Sequence, residues 1–157
     1  MTLTDERAVK ELWVINSIAT PRPTLETYKY QMPGEMAAPE DHLYVFDMTN
    51  NTRKEVKVSA WKNQTIGMEY RPFEQKQRDK EFRSLVWQGD NNRFYLVRGS
   101  RDLHRIDVCT YTIGQDSIVP IVKERMNTYQ ETRPIHVFDE GKEFIPVSYT
   151  HLTLPTI

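Results

Sequence analysis

The stretch from 82 to 124 limits what this chain can fold into more than any other. "FRSLVWQ" reads as a β-strand, "GDNN" as a turn and "RFYLVRG" as a second strand. "LHRIDVCTYTI" makes a third, with Ile106, Val108 and Thr110 on one face, because side chains alternate across a strand. "GQDS" turns the chain again, and "IVPIVKE" is a fourth strand. Pro120 puts that strand at a sheet edge, since proline donates no ladder hydrogen bond. Four consecutive strands joined by short turns make an antiparallel meander.

The same grammar continues on both sides. "LWVIN" (12–16) is apolar and β-prone, and "TYKYQM" (27–32) alternates aromatic and polar residues. "HLYVFDM" (42–48), the turn-prone "TNN" and "RKEVKVS" (53–59) read as a hairpin, and "PIHVFDEGKEFI" (134–145) as strand, turn and strand. No segment has a 3.6-residue apolar period. The mostly charged "RPFEQKQRDKEF" (71–82) reads as a loop. Such turn spacing favours a sandwich or propeller over a βαβ fold. "LYVFDMTNNTRKEVKV" resembles "LHRIDVCTYTIGQDSIVPIV" in outline, each an outer hairpin, and a repeated four-stranded unit is the pattern of a propeller blade. The expected class is all-β: a partial β-propeller of about two to three blades of four-stranded antiparallel sheet. Such a piece would leave two inter-blade faces open, with Trp61, Trp87, Phe94 and Tyr95 on or near them.

Composition narrows the chemistry. The chain has 157 residues, enough for one domain with a core, and 38% hydrophobic with 27% charged residues is not a disordered composition. A net charge of -1 gives no basic excess for nucleic-acid binding. Apolar runs such as "LWVI" and "LYVF" are too short to span a membrane, and "MTLTDERAVKE" has no apolar signal core. Cys109 is the only cysteine, so neither an internal disulfide nor a cysteine-based zinc site can form.

Catalytic motifs are missing. "RGSRD" around Ser100 lacks the glycine pattern of a nucleophile elbow and reads as a turn serine. His42, His104, His136 and His151 show no zinc-ligand spacing and read as surface or packed imidazoles. Asp139, Glu140 and Gly141 read as a hairpin turn. The two prolines in 21–24 restrict the backbone to an extended, solvated connector. Trp13, Trp61 and Trp87 lie in or near β runs and read as packing residues. The expectation is no catalytic, cofactor-binding or metal-binding residue in this chain, and no cofactor.

"LWVINSIATPRPTLETYKYQMPGE" resembles the propeller of bacterial dipeptidyl peptidase IV-like enzymes, in the prolyl oligopeptidase clan. There a "YKYPMPGE" or "YPKAG"-like element, here 28–35, introduces an "LYVFD"-type hairpin, here 43–47. "RFYLVRGSRDLHRIDVCTYTIG" is similar to the middle hairpin of the next blade, and "VFDEGKEFI" to the "DGKEFIWWSERDGW" that opens the blade after it. The resemblance covers nearly all of 5–145. It implies a serine-type peptidase, a hydrolase acting in proteolysis, that releases X-Pro dipeptides. The propeller would gate and position peptide substrates for an α/β-hydrolase domain in cis, with a Ser-Asp-His triad beyond this chain. The paired glutamates that hold the substrate's amino terminus would precede Met1, and the chain has no "EE". The resemblance also implies a periplasmic or secreted parent, possible as a homodimer. Neither nucleic acid nor a membrane span is implied for this piece. The competing reading is a non-catalytic all-β module, such as a surface or glycan-binding propeller.

After 145 the resemblance stops. Back-translated, 147–156 resembles the end of a transposase-based sequencing adapter read in one frame. The expected organisation is therefore a propeller fragment at 1–146 and an adapter-derived, non-native tail at 147–157.

Overall fold

The computed structural model describes residues 1–73, 83–88, 92–131, 135–138 and 143–146. The predicted turns at 89–92 and 139–142 and the tail at 147–157 fall largely or wholly outside them. The strands are, in chain order, β1 (Thr2–Asp5), β2 (Glu11–Asn16), β3 (Thr24–Lys29), β4 (Glu40–Asp47), β5 (Thr52–Val56), β6 (Thr65–Met68) and β7 (Arg71–Phe73), followed by β8 (Arg83–Leu85), β9 (Trp87–Gln88), β10 (Arg93–Gly99), β11 (Arg105–Thr112), β12 (Val119–Arg125), β13 (Ile135–Phe138) and β14 (Glu143–Pro146). No helix occurs among the described residues. The chain is all-β, and its sheets are those of a partial propeller.

The centre is a four-strand meander in the order β12-β11-β10-β6, with β9 paired to the start of β10. One three-stranded sheet, β1-β4-β5, precedes it, and the hairpin β13-β14 follows. β10 is buried along nearly its whole length. Its alternate side chains serve two cores. Phe94 and Leu96 meet Leu43, Val56 and Val58 of the preceding sheet, together with Cys109, Tyr111 and Ile118. Tyr95 and Val97, with Ile106 and Val108, meet Ile135 and Phe144 of the following hairpin. A strand covered on both faces reads as a continuous apolar run rather than an alternation. That is why "RFYLVRG" has no polar face.

Polar contacts fasten the preceding sheet to the meander. Lys57 N–H donates to Asp116 O and Ile118 N–H to Lys57 O, at 2.9 and 3.2 Å. Lys54 Nζ reaches Asp116 at 2.5 Å. On the other side Ile135 N–H donates to Glu69 Oε2 at 3.2 Å. The turns suit their backbone. Gly114, at φ +93°, opens the "GQDS" turn, and Asn51 in the β4–β5 turn holds φ 51°, which asparagine tolerates. Pro120 lies on the edge strand, beside the register shift opposite Val108 and Cys109, so no ladder donor is missed.

Several expectations need correction. The stretch 82–88 is not one strand: Arg83–Leu85 pairs with β7, and Trp87–Gln88 with β10. Its second half keeps the expected pairing with the start of β10, and β6 pairs with the rest of that strand. The 71–82 stretch, read as a loop, begins with strand β7. The 27–32 strand lies earlier, at Thr24–Lys29. The prolines of 21–24 are not a linker between units but lie in the loop of the β2–β3 hairpin, which among the described residues pairs with no other sheet. Phe94 and Tyr95 do face neighbouring sheets, but these cover them, so neither is left open.

The energetic consequence is specific. Leu96 is fully buried between sheets, whereas Ile18, at the hairpin tip, is 89% exposed. Leu96→Ala is expected to lower unfolding free energy by about 2–5 kcal/mol, and Ile18→Ala by less than about 0.5 kcal/mol. Urea midpoints measure both; equal losses would show that β10 is not the core strand.

Candidate functional site

The apolar layer between the β1-β4-β5 sheet and the meander ends in a charged cluster. On that face Leu96 and Cys109 give way, one step along, to Arg98 and Asp107, which are register partners. Asp107 is 1% exposed. Its Oδ2 accepts from Arg98 Nε and Nη2 at 2.9 and 2.8 Å, and its Oδ1 from Arg125 Nη2 at 2.6 Å. Arg98 Nη1 also donates to Val58 O at 3.0 Å, linking the cluster to the loop after β5.

That loop is shaped by one amide. Gln64 Oε1 accepts from the backbone N–H groups of Ala60 and Trp61 at 2.8 and 3.1 Å, and Gln64 Nε2 donates to Val58 O at 3.0 Å. The loop thereby presents Trp61 to three guanidinium groups. Those of Arg98, Arg105 and Arg125 lie 5.3, 5.2 and 5.2 Å from its ring centroid, within cation–π range. Trp61 also lines a cleft of about 980 Å³ together with Asp5, Arg7, His42, Glu55 and Gln64. The Asp5 carboxyl is held well below its usual range, chiefly by hydrogen bonds from the Arg7 side chain and backbone.

No described residue completes a catalytic constellation. Ser100 is a turn serine, as expected: its hydroxyl donates to Asp102 Oδ1 and accepts from Arg105 N–H at 3.1 Å. The Ser100 hydroxyl and the His104 N–H lower the Asp102 pKa. His104 donates its backbone N–H to Asp102 Oδ1 at 3.1 Å. His42 Nδ1 lies 2.8 Å from Glu55 Oε1 and its ring stacks on Tyr44, while His136 is exposed on β13. His151, Asp139, Glu140 and Gly141 lie outside the described residues. Among the described residues no three potential ligands gather as a metal site. Burial pushes the Cys109 thiol up to about 11, so it stays protonated and unreactive at neutral pH.

The tryptophans were expected to be packing residues, and they divide. Trp87 packs edge-on against Phe94 at 5.2 Å. Trp13 is 67% exposed on the free hairpin and packs no core. Trp61 packs guanidinium groups rather than apolar side chains. Its three arginines escaped the sequence reading. Their only sequence signal is the alternate placement of Arg105 and Asp107, and of Lys123 and Arg125, in strands that pair.

The family described as dipeptidyl peptidase IV (DPP IV) N-terminal region matches residues 2–154. The chain belongs to this family. As a DPP IV N-terminal region it is similar, at 16% identity and a TM-score of 0.67, to a crystal structure from Bacteroides ovatus ATCC 8483 described as a dipeptidyl aminopeptidase IV. That likeness covers 94% of this chain and 19% of the other, so the DPP IV N-terminal region seen here spans about a fifth of that protein. Six solved chains match in all, and no curated protein does. The family match extends past 146 into the stretch that resembles an adapter.

The buried pair gives a direct expectation. Removing one partner of a buried ion pair leaves an uncompensated charge, so Asp107→Ala should cost about 3–5 kcal/mol. Asp116→Ala, at the exposed pair with Lys54, should barely move the denaturation midpoint. Similar midpoints for the two variants would contradict the burial of Arg98.

Proposed function

We propose that this chain is a propeller portion of a serine exopeptidase that releases dipeptides from N-termini carrying proline second. In that protein the propeller restricts access to the active site and positions the peptide's amino end for an α/β-hydrolase domain. The supporting observation is the match to the DPP IV N-terminal region over residues 2–154, on an all-β chain of successive antiparallel sheets. Peptide hydrolysis by this class needs a serine activated by a base and a donor pair for the oxyanion. Ser100 donates instead to Asp102, whose lowered pKa makes it a poor base for that proton. On this reading the catalytic groups belong to the other domain, and residues 147–157 are adapter-derived.

The test starts from the genomic locus. A reading frame that leaves the present sequence near 146 and continues to a G-x-S-x-G elbow is expected. The protein it encodes should hydrolyse a Gly-Pro chromogenic substrate and lose activity with a serine-directed inhibitor. The 157-residue chain alone should show none. Inhibitor-sensitive hydrolysis by the short chain, or a continuing frame without an elbow, would overturn the proposal; the latter would favour a binding propeller.

A further inference from the structure

The face beneath Trp61 carries more positive charge than its carboxylates neutralise. Arg105 and Arg125 are direct register partners on β11 and β12, and like charges placed opposite each other repel. Asp107 shares its row with Arg98 and Lys123, on the same face two residues along. Asp107 is fully engaged by Arg98 and Arg125. Asp102 comes no nearer to Arg105 than 4.0 Å, and its Oδ1 accepts from the Ser100 hydroxyl and the His104 N–H. Glu124 is the register partner of Ile106 and so belongs to the other face. Among the described residues of these rows, Arg98, Arg105, Lys123 and Arg125 thus face one buried and one marginal carboxylate.

The unmatched charge is also accessible. The Arg105 and Arg125 side chains are 44% and 42% exposed. Among the described residues the Arg105 guanidinium makes no hydrogen bond; it has only the 4.0 Å approach of Asp102 and the ring of Trp61. Arg125 spends Nη1 on the carbonyls of Ile106 and Glu124, at 3.1 and 2.6 Å, and one Nη2 donor on Asp107. That leaves its Nε and a second Nη2 donor. The Trp61 ring shields both guanidinium groups on one side, which reduces the hydration a ligand must displace.

We propose that Arg105 and Arg125, shielded by Trp61, form a carboxylate-binding site on this face of the propeller. A planar carboxylate can accept two parallel hydrogen bonds from one guanidinium fork and a further bond from the second on a remaining lone pair. The ligand class is a small molecule or short peptide bearing a free carboxylate. The proposal stands apart from the exopeptidase reading, because it rests only on charges within this chain.

The test titrates the full chain with N-acetyl-dialanine, its C-terminal amide, acetate and inorganic phosphate, at constant ionic strength set with chloride, and follows tryptophan fluorescence. N-acetyl-dialanine is expected to give a saturable change that the amide does not give. If acetate reproduces it, the site reads the carboxylate alone; a response to the peptide acid only shows that the peptide contributes. The change should vanish in Trp61→Phe. Arg105→Gln should weaken binding at least tenfold, and Arg105→Lys should keep part of it. Asp102→Asn should tighten binding severalfold by removing the competing carboxylate, a gain that a purely structural role would not produce. This variant also decides the matter if Arg105→Gln fails to fold. An equal response to the amide, a response to phosphate alone, or unchanged affinity in Asp102→Asn would overturn the proposal.

Discussion

Everything in this structure hangs on β10 being buried from both sides. Its odd and even residues enter different cores, one shared with β4 and β5, the other with β13 and β14. Each core joins two sheets that follow one another in the chain. Neither neighbouring sheet could hide its apolar face without the meander, and the meander could not hide both of its own. This is the logic of a propeller, in which each blade is stabilised by those beside it.

At one end of the layer, apolar packing gives way to charge. Arg98 and Asp107 continue the pattern of register partners where Leu96 and Cys109 leave off. A buried ion pair is weak evidence for net stability, because desolvation offsets most of its attraction. What it does here is geometric. Arg98 binds Val58 O, Gln64 shapes the same loop, and Trp61 is thereby held over the arginines. The chemistry of the cluster is therefore a property of the inter-sheet junction rather than of any single strand.

Much of the fold is legible in residues 93–125. "RFYLVRG" and "RIDVCTYT" are rich in β-branched and aromatic residues, and Gly114 marks the turn between β11 and β12. β1 and β6 are not legible. Thr2–Asp5 is polar, and Thr65–Met68 contains Gly67; both become strands by borrowing a ladder from β4 and β10. The 82–88 stretch reads as one strand because periodicity cannot show a change of partner between Leu85 and Trp87. The absence of a nucleophile elbow around Ser100 is readable directly, since that motif is local. The arginine–tryptophan cluster is not, because Trp61 and Arg125 lie 64 positions apart and meet only through the register of three strands.

Native-state hydrogen exchange of the whole chain tests the dependence on β10 most directly. Backbone groups in the most tightly packed, doubly paired strands open only with global unfolding, whereas those in unsupported hairpins open locally. The slowest amides should be those of Leu96, Val97, Val108 and Cys109, with protection falling through β12 and lowest in β2 and β3. If the β2–β3 hairpin proves as protected as β10, the stability of the chain does not originate in the doubly buried meander.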